Sequence, residues 1–174
     1  MCCCTYATQK SDCRKPDPCG SALTKILRLD IQIKTFKELS TDNLYQLLQL
    51  RSEVFVVEQD CVYQDIDGKD QKALHVLGFK NEVLVAYTRI FKPGDYFNEA
   101  SIGRVVVKKN ERAFKYGYAI MEASIKAIST YFNETTIKIS AQEYLKQFYT
   151  NLGFHQQGTS YLEDGIPHIA MYKE

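Results

Sequence analysis

The sequence predicts an α/β protein, a single domain with a central mixed, twisted sheet and helices on both faces. A length of 174 residues suits one domain. The composition, 45% hydrophobic and 25% charged, is that of an ordinary globular chain. The order of predicted elements is β-α-loop-β-β-β-α-β-α-β-β, which neither alternates strictly nor separates strands from helices. A mixed sheet accommodates that order best.

The first 26 residues are predicted to be a disordered, cysteine-rich tail ahead of a domain spanning 27–174. Two prolines and a glycine between Lys15 and Ser21 interrupt any regular element. A disulfide scaffold would spread its cysteines along the chain, so their clustering favours a reduced, cytoplasmic protein. The cluster lacks the spaced pairs of a zinc site, while acylation of this end stays open. Its members are Cys2, Cys3, Cys4, Cys13 and Cys19.

The first half of the domain is predicted to contain a strand, a helix, an irregular stretch and three strands. Apolar residues alternate from Leu29 to Ile33, which is typical of a half-buried strand. Ser40 or Thr41 can cap the helix that follows, whose apolar residues recur at helical spacing. After the acidic stretch 59–72, strands are predicted at Ala73–Phe79, Val83–Phe91 and 101–107.

The second half predicts two helices, a strand between them and a closing hairpin. A long amphipathic helix begins shortly after Arg112, and a strand follows at 137–140. Ser140 and Glu143 have the spacing of a capping box for the next helix, which Gly153 can end. The hairpin arms are expected at 154–162 and 168–172, with a turn near Asp164.

Charge and hydropathy exclude some functional classes. Lys and Arg number 22 against 21 Asp and Glu, a net charge of +1, whereas charge-driven nucleic-acid binders concentrate positive charge. No apolar run approaches the roughly 18 residues that predict a membrane span. The first ten residues also lack the charged and apolar regions of a secretory signal.

The segment 102–121 carries the most information about chemistry. A hydrophobic strand runs into a short loop, and the loop opens a long helix. The first turn of a helix has free backbone N–H groups and a positive dipole end, which together suit a pyrophosphate. Gly117 allows close approach of the backbone to a ligand. The segment is therefore a candidate phosphate-binding loop.

This segment resembles motif A of the GNAT superfamily of acyl-CoA N-acyltransferases, whose loop reads Arg/Gln-x-x-Gly-x-Gly/Ala. Arg112 and Gly117 match the outer positions, and Lys115 replaces the middle glycine, as in the ElaA-like branch of the superfamily. The segments 48–59, 63–75 and 163–168 also resemble that branch, and 140–154 resembles motif B. The resemblance runs from about Phe36 to Met171.

The resemblance implies acetyl-CoA as the acyl donor and no metal. The loop backbone would hold the pyrophosphate, and the strand before it would pair with the pantetheine arm where the sheet splays opposite 139–142. An amide N–H near Val106 or Val107 would polarise the thioester carbonyl. The residues expected to bind the donor are Val105, Val106, Val107, Arg112, Ala113, Phe114, Lys115, Tyr116, Gly117, Tyr118 and Gln142.

Two side chains are candidate catalytic groups. Tyr149 stands where the family often has a tyrosine that protonates the departing CoA thiolate, although it could equally be a core aromatic. Glu58 is the candidate base, if partial burial raises its pKa toward neutrality. His75, His168 or a water could take that proton instead, and Glu58 could be a structural carboxylate.

The acidic stretch and the histidines are the candidate acceptor site. Its carboxylates could attract a cationic acceptor, or they could be a solvated turn. The stretch lacks the glutamate that completes an EF-hand calcium loop, and histidines far apart in sequence are a weak metal signal. The residues expected to bind substrate are Arg51, Asp67, His75 and His168.

The predicted function is transfer of an acetyl group from acetyl-CoA to a primary amine by direct attack in a ternary complex. The acceptor would be a small-molecule or peptide amine, and a homodimer is left open. One alternative is a non-catalytic acyl-CoA sensor, which would release no CoA thiol. Another is an acyltransferase that uses acyl carrier protein, which would need a basic docking surface that the charge balance does not indicate.

Overall fold

The computed structural model describes residues 29–174, so the predicted tail 1–26 and its cysteines lie outside the described residues. One seven-stranded sheet has the order β1-β2-β3-β4-β5-β7-β6. Neighbouring strands are antiparallel except for β4 and β5, which are parallel, so the predicted mixed sheet is confirmed. The strands are β1 Asp30–Thr35, β2 Leu74–Lys80, β3 Val83–Phe91, β4 Ala100–Val107, β5 Ile137–Gln142, β6 His155–Glu163 and β7 Ile166–Lys173.

Helices cover both faces of this sheet. The α-helices are α1 Thr41–Arg51, α2 Tyr116–Phe132 and α3 Lys146–Asn151. Short 3-10 turns lie at Phe36–Glu38, Asp70–Lys72, Lys109–Phe114 and Glu143–Leu145, and α1 continues into a π-helical segment, Ser52–Glu58. None of the helices in 29–174 is long and apolar enough to cross a membrane.

Side chains that alternate between the two faces of the sheet divide the hydrophobic core into two layers. Val76 packs in the layer under α2 and α3, whereas the next residue, Leu77, packs in the layer under α1. Val106 belongs to the α1 layer, while its neighbours Val105 and Val107 face the α2 layer. Successive side chains of a strand point to opposite faces, so a sheet with this pattern is buried on both sides.

The start of α1 follows the sequence prediction, but the start of the segment after β5 does not. The Ser40 hydroxyl accepts a hydrogen bond from the Asn43 backbone N–H at 3.1 Å and caps α1. The predicted capping box of Ser140 and Glu143 is wrong. Ser140 lies inside β5, which continues to Gln142 because its last residues pair with β7.

The feature that positions the site is the divergence of β4 from β5. Their ladder joins Ala100 to Ile137 and Ser101 to Lys138 and then ends. A bulge at Arg104, whose φ is +51°, adds one residue to β4 opposite β3 and bends the strand. The splay expected between β4 and β5 is therefore present.

Candidate active site

The divergence of β4 and β5 opens a cleft of about 570 Å³. Residues 105–107 of β4 and the start of α2 line one side, and Ile139, Ser140 and Gln142 of β5 line the other. The π-helical segment, α3 and the β6–β7 turn supply the remaining walls. A cleft between two strands leaves backbone N–H and C=O groups without ladder partners, so an extended ligand can pair with them.

The loop ahead of α2 presents the uncapped start of a long helix. Lys115 has a φ of +60°, a left-handed conformation that favours glycine, and its side chain does not cap the helix. The N–H groups of Tyr116 and Gly117, at the first two positions of α2, have no acceptor within the helix. This geometry explains why a glycine is usual at the middle position of the motif.

Most residues predicted to bind the donor line the cleft, but three do not. Tyr116 is buried in the core below α2, and Phe114 lies on the outside of the 3-10 turn. Ala113 is exposed on the same turn and also lies outside the lining of the cleft. A Cβ on Gly117 would lie 3.4 Å from the Phe148 ring, so the glycine also permits close packing of α2 on α3.

Glu58 and Arg112 form a bidentate ion pair across the mouth of the cleft. The Arg112 guanidinium donates to both Glu58 carboxylate oxygens, at 2.6 and 2.8 Å, and its Nε donates to the Val107 carbonyl at 3.1 Å. The hydrogen bonds from Arg112 hold the pKa of Glu58 below its ordinary value. The expectation that burial raises this pKa toward neutrality is therefore wrong, because the arginine outweighs the desolvation.

A second contact ties the π-helical segment to the other strand. The Gln142 side-chain amide, at the end of β5, donates to the Gln59 side-chain oxygen at 3.1 Å. Adjacent residues at the end of the π-helical segment thus contact both edges of the splay, Glu58 through Arg112 and Gln59 through Gln142. Segments of π-helix occur frequently at functional sites.

Tyr149 lies in the first turns of α3 and serves the core and the cleft together. Its ring packs edge-on against Phe148 and Phe154, with centroids 5.0 and 6.1 Å away, and the residue is 5% exposed. It also lines the cleft, and its hydroxyl has no hydrogen-bond partner among residues 29–174. Burial raises the pKa of the phenol above its ordinary value of 10, so the hydroxyl keeps its proton. The core-aromatic interpretation and the catalytic one are therefore compatible.

The acidic stretch holds the loop after α1 in place. The guanidinium of Arg51 is fully buried and donates to Asp65 at 2.8 Å and to Asp70 at 2.9 Å. Arg89 donates to Asp67 and, at 2.8 Å, to Asp70, while Arg104 donates to Asp65 at 2.7 Å. Three arginines thus neutralise three aspartates. The interpretation of this stretch as a site for a cationic acceptor is wrong, as is a substrate contact for Arg51, and the Asp67 carboxylate is occupied by Arg89.

The two candidate histidines have different environments. His75 is fully buried, with Nδ1 2.7 Å from the Tyr87 hydroxyl and Nε2 3.0 Å from the Asp70 carbonyl oxygen. Burial lowers the pKa of His75, and no substrate can reach it, so its predicted substrate contact is wrong. His168 is half-buried on β7, lines the cleft and has Nδ1 2.8 Å from the Ile166 carbonyl oxygen.

The far end of the cleft contains residues that no sequence motif assigned to the site. Glu163 at the end of β6 accepts a hydrogen bond from the Ser140 hydroxyl at 2.6 Å, and no ion pair among residues 29–174 involves it. Tyr96 and Phe97, from the β3–β4 connection, line the same region with an edge-on contact between their rings. Only the alternation of β6 could have indicated the orientation of Glu163. The described residues contain no group of three metal-ligating side chains.

A mixed sheet that splays beside an uncapped helix start defines the class of the protein, a GNAT-type acyltransferase fold. Residues 35–174 match the family model of the acetyltransferase (GNAT) domain, and the chain belongs to that family.

Proteins similar in sequence and in structure support this family membership. The chain is 45% identical to protein ElaA of Escherichia coli over 139 residues, 79% of this chain and 91% of ElaA. The crystal structure of E. coli ElaA superposes with a TM-score of 0.78 over 84% of this chain and 99% of ElaA, at 42% identity. An acyl-CoA N-acyltransferase from Pseudomonas aeruginosa gives the same TM-score at 38% identity, covering 84% of this chain and 100% of the other.

Proposed function

We propose that the protein transfers the acetyl group of acetyl-CoA to a primary amine by direct attack in a ternary complex. The observation that carries this proposal is the cleft between β4 and β5, with the uncapped start of α2 at one end. The acyl-CoA specificity in the name of the P. aeruginosa relative, 38% identical, supports a CoA thioester as the donor.

The donor would lie along β4. The N–H groups at the start of α2 and the positive end of the helix would hold the pyrophosphate. The Val105–Val107 backbone would pair with the pantetheine amides as an added strand, because β5 has already turned away. An N–H at Val106 or Val107 would then stabilise the negative charge that develops on the thioester oxygen.

Tyr149 would serve the leaving group. Its hydroxyl lies in the wall of the cleft, stays protonated because burial raises its pKa, and has no described residue as a partner. It can therefore donate its hydrogen to the departing CoA sulfur. Glu58, held by Arg112, is a positioning group at the mouth of the cleft in this proposal.

The acceptor would enter from the side of Glu163, Tyr96 and Phe97. The carboxylate of Glu163 offers a negative charge with no described cationic partner, which suits an ammonium. The aromatic rings offer an apolar and cation-binding wall.

Release of CoA thiol from acetyl-CoA tests this function. The panel would contain phenethylamine, spermidine, glycinamide and an alanyl peptide, each measured with and without protein. We expect amine-dependent thiol release and the acetylated amine by mass spectrometry. Binding of acetyl-CoA without release for any amine would favour the acyl-CoA sensor. Absence of acetyl-CoA binding would refute the proposal and leave acyl carrier protein as the alternative acyl donor. A pull-down with CoA resin would distinguish these two donors.

A further inference from the structure

We propose that His168 is the general base, and that its Nε2 removes the proton from the incoming ammonium. This inference rests on the proposed function, because it assigns a residue to the deprotonation that an amine acceptor requires. An ammonium has no lone pair with which to attack a thioester, so one of its protons must leave first. The base must therefore line the cleft and be able to accept a proton near neutral pH.

The hydrogen bond of His168 fixes its tautomer. A carbonyl oxygen can only accept, so Nδ1, which lies 2.8 Å from the Ile166 oxygen, carries the hydrogen. In the neutral ring, Nε2 then holds the lone pair. A backbone carbonyl that orients an imidazole in this way is a familiar device for presenting the other nitrogen.

The strand register brings His168 to the splay. His168 pairs with Gln142, the last residue of β5, and the two side chains lie on the same face of the sheet. Ser140, two residues before Gln142 and on the same face of β5, donates to Glu163, so this face is the side on which the proposed function places the acceptor. The ring of Tyr161 on β6 lies nearly parallel to the imidazole, with an interplanar angle of 26° and centroids 6.3 Å apart.

The other candidate bases are occupied. Glu58 gives both carboxylate oxygens to Arg112, and His75 is sealed in the core with both ring nitrogens bonded. Glu163 accepts a hydrogen bond from the Ser140 hydroxyl, and a carboxylate is in general a weaker base than an imidazole.

Charged side chains and phenols share the cleft with His168. On the hairpin, Glu163 and Asp164 both line the cleft and carry negative charge. Across the cleft, the Glu58–Arg112 pair is neutral as a unit. Among the phenols, Tyr161 on β6 stacks on the imidazole, and Tyr144 and Tyr149 line the cleft.

The protons balance in the following sequence. The ammonium gives one proton to Nε2, and the free amine attacks the thioester carbon to form the C–N bond. The tetrahedral adduct gives a second proton from nitrogen to solvent as the C–S bond breaks, while the sulfur takes the hydrogen of Tyr149. Solvent receives the proton of His168 and returns one proton to the phenolate. Two protons enter solvent and one leaves it, so one net proton is released for each amide and CoA thiol formed.

His168→Asn is the sharpest test, because the asparagine amide can still donate to the Ile166 carbonyl but offers no basic nitrogen. The assay follows CoA thiol release against pH, with acetyl-CoA and the panel amine that has the largest kcat/KM. We expect kcat/KM to fall by about 10²–10⁴. The fall of kcat/KM toward low pH, which the imidazole governs in the wild-type protein, should disappear from the pH profile. The remaining rate should rise with pH as free amine accumulates.

Two controls accompany this variant. His155→Gln removes an exposed histidine of β6 that does not line the cleft, and should leave the profile unchanged. Glu58→Gln should keep the low-pH limb. Acetyl-CoA should still raise the melting temperature of His168→Asn, and His168→Gln replaces it if that variant does not fold.

Wild-type kcat/KM with an unchanged limb in His168→Asn would overturn the inference and leave the proposed function intact. Loss of the limb in Glu58→Gln instead would assign the base to Glu58. A wild-type protein that binds acetyl-CoA but acetylates no amine would refute the proposed function, and the inference with it.

Discussion

Replacing Tyr149 with phenylalanine separates catalysis from packing at one position. The ring contacts with Phe148 and Phe154 survive, because the substitution removes one oxygen atom and no carbon. The hydroxyl has no hydrogen-bond partner among residues 29–174, so its loss breaks no described bond. We therefore expect the free energy of unfolding to change by less than about 1 kcal/mol.

The effect on turnover should be far larger. Loss of a general acid typically lowers the rate by about 10²–10⁴, which corresponds to about 2.7–5.5 kcal/mol of transition-state stabilisation. The KM for acetyl-CoA should change little, because the hydroxyl acts on the departing sulfur rather than on the bound thioester. Since burial raises the pKa of this phenol, no limb from Tyr149 is expected below about pH 10 in the wild-type profile.

The assay is single-turnover release of CoA thiol, which isolates chemistry from product release. Tyr144→Phe is the matched control, since this tyrosine lies at the edge of the same cleft but is 73% exposed. It should retain wild-type turnover. A Tyr149→Phe protein with wild-type single-turnover rates would remove Tyr149 from the mechanism and leave water as the proton donor.

Three further predictions concern the framework of the site. Lys115→Gly should keep or raise stability, by up to about 1 kcal/mol in urea unfolding, because φ is +60° there; a clear loss would contradict the strain argument. Arg51→Met should cost about 3–5 kcal/mol, since it leaves Asp65 and Asp70 buried without this partner, and an unchanged urea midpoint would count against the network. Burial lowers the pKa of His75 in the folded protein, so the free energy of unfolding should fall as pH drops below about 6.5, the pKa in the unfolded state. His75→Gln should flatten that part of the pH dependence, and a variant with the wild-type slope would refute the lowered pKa of His75.

Local patterns in the sequence predicted the elements well. The alternation in β1, the Ser40 cap and the Asp164–Gly165 turn are short-range signals, and each is present in the fold. The capping box at Ser140 failed because pairing with β7 extends β5 through that residue, and strand pairing is a long-range interaction that no local motif encodes.

The site was harder to predict, because ion pairs between distant segments decide what each charge does. The sequence of the acidic stretch favoured a binding surface, but in the fold the arginines of α1, β3 and β4 form ion pairs with its aspartates. The sequence favoured Glu58 as a base, but in the fold Arg112, 54 positions later, donates hydrogen bonds to both of its carboxylate oxygens. The splay of β4 from β5 and the left-handed residue ahead of α2 depend on local chain geometry, and both are present where the family resemblance places the donor.

Hydrogen–deuterium exchange with saturating acetyl-CoA tests most directly whether the backbone of the splay holds the donor. Bound pantetheine should protect the amides of Val105–Val107, and bound pyrophosphate should protect those at the start of α2, Tyr116–Tyr118. Dephospho-CoA, which keeps the pyrophosphate and the arm, should give the same pattern. Slower exchange confined to these two segments is the result expected. Acetyl-CoA that binds while both segments exchange at the rate of the free protein would contradict the account.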